Sequence, residues 1–110
     1  MLNKEAHRDI ELIRETAQKV WGEDCVFGEF KEPNSPYAEF EWYVVLYGRF
    51  EVRIDYERGG IGNMVKTGDG HIALSRLTDE QVFKGLKGGI PENLIHNFQV
   101  LDRLLRTYME

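Results

Sequence analysis

The stretch AEFEWYVVLYGRFEVRIDYE, residues 38–57, decides the fold of this chain. Residues 38–47 are rich in aromatic and β-branched side chains, a composition that predicts a β-strand. From Phe50 to Glu57 apolar and charged residues alternate, which is the period-two pattern of a half-buried strand. Gly48 and Arg49 lie between the two runs, and a glycine followed by another residue suits a type II′ turn. The stretch therefore predicts an antiparallel β-hairpin that turns at Gly48-Arg49.

The register of this hairpin decides which residues share a face, and the sequence leaves two registers open. A two-residue loop would pair Tyr47 with Phe50 and place odd positions of the first strand beside even positions of the second. A three-residue loop would shift the pairing by one residue and bring all the even-numbered positions together. In both registers residues 40–46 are apolar on both sides. We therefore expect a central strand that is covered, at least in part, on both faces.

Two segments outside the hairpin carry apolar residues at steps of three and four, the spacing of one helical face. The first follows Asn3, a good helix N-cap, and the second begins at Pro91, which suits the first position of a helix. These patterns predict helices over residues 4–21 and 91–108. Three residues of the two apolar stripes are expected in the core: Ile13, Leu101 and Leu105.

The remaining segments predict further strands, a loop and a short helix. Residues 25–31 and 71–77 are interpreted as strands. Residues 58–70 hold five of the eleven glycines and are interpreted as a flexible loop, in which residues 64–67 could form a short strand. Thr78 with Gln81 fits a capping box, which predicts a short helix through Val82, Phe83 and Leu86 that ends at Gly88-Gly89.

Length and composition predict one globular domain over residues 1–110. Its class is α+β: an N-terminal helix, an antiparallel sheet of four to five strands, a short helix, and a long C-terminal helix packed on the sheet. The lone Cys25 offers no intramolecular disulfide, and the first nine residues lack the apolar core of a signal peptide. No run approaches the length of a membrane span, so we expect a cytoplasmic protein that does not enter membranes.

Charge is unevenly distributed along the chain, whose formal net charge is −5. Residues 23–57 carry nine acids and three bases, a net of −6, whereas residues 58–110 carry seven bases and six acids. A protein that binds nucleic acid by neutralising phosphates needs a basic stripe instead. We therefore expect no direct nucleic-acid binding.

Several candidate chemical sites lack residues that their chemistry requires. Gly60–Thr67 nearly matches a phosphate-binding loop, but Val65 replaces the second glycine, and a turn rather than a helix is predicted to follow. Asp69 and His71 could supply two metal ligands, fewer than a site usually needs. Cys25 begins an apolar strand, where a thiol behaves as a small hydrophobe. We expect no cofactor, no metal and no catalytic residue.

The acidic sheet region is the best candidate for function, because carboxylates on a rigid sheet can steer a basic partner. We expect a small acidic protein-binding module that contacts a basic protein. In size, charge and architecture it is similar to toxin-immunity proteins and phage-encoded inhibitors. One alternative is a small-ligand-binding or hydrolytic domain with a pocket near residues 59–70, and another is a structural subunit of a homo-oligomer such as a homodimer. The predicted contact residues are Glu39, Glu41, Trp42, Tyr43, Asp55 and Glu57.

Overall fold

The computed structural model describes residues 2–34 and 36–109 and has the predicted α+β architecture. Five strands form an antiparallel sheet in the order β1-β2-β3-β4-β5, so each strand pairs with its neighbours in sequence. Short 3₁₀ turns lie at Gly22–Asp24, Leu74–Arg76 and Gly85–Gly89. The longer elements are α1 (Lys4–Trp21), β1 (Cys25–Lys31), β2 (Glu39–Leu46), β3 (Phe50–Glu57), β4 (Gly60–Thr67), β5 (Gly70–Ala73) and α2 (Pro91–Thr107).

Both long helices begin where the sequence predicts. The Asn3 side chain accepts a hydrogen bond from the Ala6 amide at 2.9 Å and so satisfies one of the free donors of the first turn of α1. Gly22 follows α1 with φ of 55°, a conformation that favours glycine. Pro91 is the first residue of α2, where its missing amide hydrogen removes no helical hydrogen bond.

The β2–β3 hairpin has the three-residue loop Tyr47-Gly48-Arg49, with Leu46 opposite Phe50. The two-residue type II′ turn is therefore wrong, although the position of the turn is confirmed. Tyr47 and Gly48 both have positive φ, at 57° and 67°, and the Tyr47 hydroxyl donates to Asp102 on α2. This register brings the large apolar side chains of both strands onto one face: Phe40, Trp42, Val44, Leu46, Val52, Ile54 and Tyr56.

The molecule has two layers, with both helices against the even-numbered face of β2 and β3 in one apolar core. Ile13, Leu101 and Leu105 are fully buried there, as predicted. No helix or strand of the described residues packs over the odd-numbered face. Val45 on that face is 37 % exposed, whereas Tyr43 is partly buried by neighbouring side chains. The second face of β2 is therefore covered only in part, and by none of the described helices. We call this uncovered side the open face.

The glycine-rich segment is not a flexible loop but contains strand β4, which pairs with β3 from Val52–Val65 to Glu57–Gly60. Ladder hydrogen bonds use only backbone atoms, so glycine weakens a strand without preventing it. Gly59 has φ of 91° and makes the tight turn that precedes the strand. At the other end, β5 stops at Ala73 and a 3₁₀ turn follows, so the strand predicted to reach residue 77 is shorter.

The short helix predicted after Thr78 is also wrong, because residues 81–84 form neither helix nor strand. The Asn97 side chain accepts from the Phe83 amide at 3.0 Å and donates to the Phe83 carbonyl at 2.9 Å. A tertiary contact from α2 thus takes both backbone groups that a helix would use. Thr78 Oγ1 does accept a backbone hydrogen bond, from the amide of Glu80 at 3.2 Å, but no helix follows it.

Candidate functional site

Four carboxylates lie together on the open face at the end of the hairpin opposite its turn. Glu39 is directly opposite Glu57, and Glu41 is directly opposite Asp55. The alternation of β3 and the three-residue loop place all four on the same side of the sheet. We call Glu39, Glu41, Asp55 and Glu57 the acidic quartet. Residues predicted as contacts from the sequence are therefore brought together by the register.

The inner pair of the quartet is compensated by an arginine. Arg53 donates to both oxygens of Asp55, at 2.7 and 3.0 Å, and its Nε lies 3.8 Å from Glu41 Oε2. These interactions, first the hydrogen bonds to Asp55, raise the pKa of Arg53 above its ordinary value. One guanidinium is thus held between Glu41 and Asp55, so one of the two negative charges of the inner pair is neutralised.

The outer pair, Glu39 and Glu57, has no such compensation. Neither carboxylate lies in an ion pair within residues 2–34 and 36–109. The guanidinium of Arg58, next in sequence to Glu57, instead lies 3.5 Å from the centre of the Tyr37 ring. Like charges directly opposite each other on adjacent strands destabilise a sheet. The outer pair is therefore an uncompensated pair of negative charges on a rigid hairpin.

Two concave regions adjoin the quartet. One of about 680 Å³ is lined by all four carboxylates together with Phe40 and Tyr56, and another of about 490 Å³ is lined by Asp55, Glu57 and Ile61. Asp55 and Glu57 line both. Lys31 also lines the first concavity and Arg58 the second, so each combines carboxylates, apolar atoms and one basic side chain of the protein itself. The carboxylates and apolar atoms together fit a side chain with an apolar stem and a cationic end.

Tyr43 lies on the open face beside the quartet, as one predicted contact residue. Lys31 Nζ lies 5.1 Å from its ring centre, and the His71 ring meets it edge-on at 5.9 Å. His71 Nε2 is 3.0 Å from Glu51 Oε2, but the angle is not that of a hydrogen bond. Tyr43 is therefore part of a mixed-charge cluster at the centre of the face.

Trp42, the other predicted anchor, lies on the helix-covered side of the sheet. It is 6 % exposed, its ring contacts Phe27 at 4.3 Å, and the Arg14 guanidinium of α1 lies 5.6 Å from it. The prediction that Trp42 contacts a partner is therefore replaced by a role in the core. The three-residue hairpin loop is the reason, since it turns every even position of β2 toward the helices.

The other chemical candidates do not come together. Asp69 is in the β4–β5 turn, whereas His71 lies against Glu51, and no group of three or more potential metal ligands occurs among the described residues. Gly60–Thr67 is a strand followed by a turn and β5, without the helix that a phosphate-binding loop requires. Burial raises the pKa of Cys25 to about 11, which keeps it a thiol at neutral pH.

Sequence reasoning missed the residues that organise both layers. Arg53 was visible only as one charge in an alternating strand, and its place in the quartet depends on the hairpin register. Asp102 of α2 accepts hydrogen bonds from Trp21 Nε1 at 2.9 Å, from Arg106 Nε at 2.8 Å and from the Tyr47 hydroxyl. Burial raises the pKa of Asp102, but these three donors outweigh it and lower the pKa below its ordinary value. Asp102 and Arg106 have the local i,i+4 spacing of a helical pair, but no local pattern predicts the contacts with Trp21 and Tyr47, which are 81 and 55 residues away.

Neither a protein-family model, nor a curated protein, nor a solved structure matches this chain. Among the helices of the described residues, none combines the length and apolar character that crossing a membrane requires.

Proposed function

We propose that the protein is a binding module whose open face receives a positively charged protein partner. The uncompensated Glu39–Glu57 pair carries the proposal. Two carboxylates held opposite each other repel, and a single substitution to glutamine would relieve the repulsion. A basic partner side chain placed between them turns the same repulsion into attraction.

The surroundings of the pair support arginine or lysine side chains as the groups bound. Carboxylates and apolar atoms line the same two concavities, and Arg53 shows that a guanidinium can fit beside Asp55 in a two-point geometry. Charge-assisted hydrogen bonds of this kind are stronger than neutral ones. Because the quartet stands on paired strands, its backbone is already ordered, and binding has only the side chains left to immobilise.

The sign of the charge distinguishes a protein partner from other polymers. Nucleic acids and anionic membrane surfaces present phosphates, which the quartet would repel. Enzymes that act on nucleic acids present basic surfaces, and a small acidic protein that covers such a surface would block it. We therefore propose a role like that of an immunity protein or an inhibitor, acting in the cytoplasm, where a lone thiol such as Cys25 remains reduced.

The proposal is tested by mapping the binding of a short peptide of alternating arginine and glycine onto the ¹⁵N-labelled protein by NMR. Shifts should concentrate at the quartet and fade as salt is added, because exposed charges are screened. The double variant Glu39→Gln with Glu57→Gln should bind more weakly than the double variant Glu15→Gln with Glu23→Gln, which removes the same charge elsewhere. Shifts spread evenly over all acids, or equal binding by the two variants, would refute the proposal.

A small-ligand or hydrolytic site is the second candidate, because the 490 Å³ concavity lies beside Gly60 and Gly62, close to where the sequence places such a pocket. A hydrolytic pair needs one carboxyl free to move a proton. Both oxygens of Asp55 already accept hydrogen bonds from Arg53, which leaves that residue poorly suited to the task. Two results together would favour the binding module. A protein partner should protect the quartet from solvent or chemical modification, and the protein should not hydrolyse small esters or glycosides.

A further inference from the structure

Asn63 is a buried side chain whose polar atoms have no hydrogen-bond partner. It lies on β4 opposite Ile54, on the helix-covered side of the sheet, and is 4 % exposed. Neither Nδ2 nor Oδ1 is bonded to any described residue. Asn97, which is 0 % exposed, makes the contrast clear because both its amide atoms bond Phe83. Buried polar groups are nearly always satisfied, so the Asn63 amide calls for a partner.

A small cavity of about 90 Å³ adjoins the Asn63 amide. The other residues that line it come from β4, from the end of β5, from the 3₁₀ turn Leu74–Arg76 and from the segment that follows residue 81. That segment is neither helix nor strand between residues 81 and 84, and the Asn97 side chain fastens it at Phe83. His96 also holds this segment, since its Nε2 lies 2.8 Å from the Gln81 carbonyl oxygen and its ring meets that of Phe83 at 5.4 Å. Two side chains of α2 thus fasten the segment that lines one side of the cavity. Its lining includes Gly62, Met64, Ser75, Val82, Lys84 and Gly85.

We propose that this cavity binds a small uncharged molecule carrying a carboxamide group. The Asn63 amide offers a donor and an acceptor side by side, and a carboxamide presents the matching acceptor and donor. A carboxylate would satisfy only the Nδ2 donor and would set a negative charge against Oδ1. An ammonium group would satisfy only the acceptor. A hydroxyl group also donates and accepts, but through one atom, whereas a carboxamide presents a separate donor and acceptor that match the two atoms of the Asn63 amide.

The cavity volume sets the size of the ligand. An apolar cavity of about 150 Å³ admits benzene, with six heavy atoms, so 90 Å³ corresponds to about four. Acetamide has this size and provides a probe, and acetate is its charged counterpart of equal shape. The site lies on the opposite side of the sheet from the acidic quartet, so this inference is independent of the proposed function.

The experiment titrates the ¹⁵N-labelled full chain with acetamide and, separately, with acetate, and follows the Asn63 side-chain NH₂ and the backbone amides of β4 by NMR. Acetamide should produce saturable shifts confined to residues around the cavity, with Kd in the millimolar range, and acetate should produce none. Shifts that saturate show binding at a defined site, because non-specific solvent effects rise linearly with concentration.

Two variants separate the cavity from the rest of the molecule. Asn63→Leu has a similar volume and no amide, so it should abolish the saturable shifts of β4, whereas Asn34→Leu in the exposed β1–β2 connection should retain them. Equal responses to acetamide and acetate, or saturable binding that survives Asn63→Leu, would overturn the proposal. So would an Asn63 NH₂ that shows contact with water alone and no response to acetamide. The wild-type comparison of the two probes stands even if Asn63→Leu does not fold.

Discussion

At the scale of single residues, Asp102 shows how a half-buried charge joins three elements. It accepts hydrogen bonds from the last residue of α1, from the β2–β3 loop and from Arg106 one turn farther along α2. The Tyr47 hydroxyl reaches it from a residue with positive φ, a conformation that non-glycine residues rarely adopt. The network therefore fixes the hairpin loop against the helices and, with it, the register that builds the open face.

Replacement of Asp102 by asparagine tests this role through pH. The pKa of Asp102 is lowered in the folded protein, so its stabilising effect is fully present above the unfolded value of about 3.9 and is lost as pH falls through the folded value. Urea unfolding should show Asp102→Asn less stable than wild type at pH 7, with the difference shrinking below about pH 4. Asp69→Asn in the β4–β5 turn is the control. A difference between wild type and Asp102→Asn that stays constant with pH would contradict the assignment.

At the same scale, Leu101 tests whether α2 packs as described. The side chain is fully buried, so Leu101→Ala should lower the free energy of unfolding by about 2–5 kcal/mol through lost contacts and a residual cavity. Leu86→Ala removes the same atoms from a side chain that is 71 % exposed and should change stability by less than about 0.5 kcal/mol. Chemical denaturation measures both variants. Equal effects would show that α2 is not held by this face.

At the scale of elements, the glycines of the segment Gly85–Gly89 have a structural purpose that composition alone does not reveal. The segment packs backbone against backbone on the start of β4. A Cβ added at Gly88 would lie 2.3 Å from the Ile61 carbonyl oxygen, and one at Gly89 would lie 2.1 Å from that of Gly59. Both distances are far inside van der Waals contact, so only glycine lets the segment close over β4.

Gly88→Ala should therefore destabilise the protein, by about 1–3 kcal/mol as for other overpacked sites. Gly62→Ala is the matched control, because a Cβ there meets no atom within 4 Å. Thermal unfolding compares the two. If Gly88→Ala were as stable as Gly62→Ala, the segment would not lie against β4.

The elements also show how far the sequence could predict the structure. Helix bounds and strand β1 follow from apolar periodicity and caps, which are local signals. The loop predicted over residues 58–70 and the helix predicted after Thr78 failed, since β4 depends on pairing with β3 and Phe83 depends on Asn97. The quartet was predicted residue by residue, but its arrangement and the burial of Trp42 depended on a register that the sequence left open.

At the scale of the whole molecule, the division into a helix-covered face and an open face separates stability from surface chemistry. The core lies on one side of the sheet, so the charges of the other side can vary without disturbing it. The acidic quartet lies on this second side, and its outer pair, Glu39 and Glu57, makes no ion pair within residues 2–34 and 36–109. Such a pair is consistent with a trade of stability for binding.

The trade predicts that removing the charges of the outer pair stabilises the isolated protein. Glu39→Gln with Glu57→Gln should raise the free energy of unfolding by up to about 1 kcal/mol, because two opposed carboxylates no longer repel. Glu15→Gln with Glu23→Gln should have a smaller effect. Urea denaturation at low salt measures both double variants. If the Glu39→Gln, Glu57→Gln variant is less stable than wild type, these carboxylates stabilise the sheet instead.

The most direct test of the acidic quartet as a docking site is the rate at which a partner associates. With a partner isolated from the native cell, the association rate constant is measured from about 0.02 to 0.2 M salt. The proteins compared are wild type, the double variant Glu39→Gln with Glu57→Gln, and the double variant Glu15→Gln with Glu23→Gln. Steering by the quartet predicts a rate for wild type and the Glu15–Glu23 variant that falls steeply with salt. The Glu39–Glu57 variant should associate several-fold more slowly at low salt, with a flatter salt dependence. Identical rates for the two glutamine variants at low salt would contradict the account.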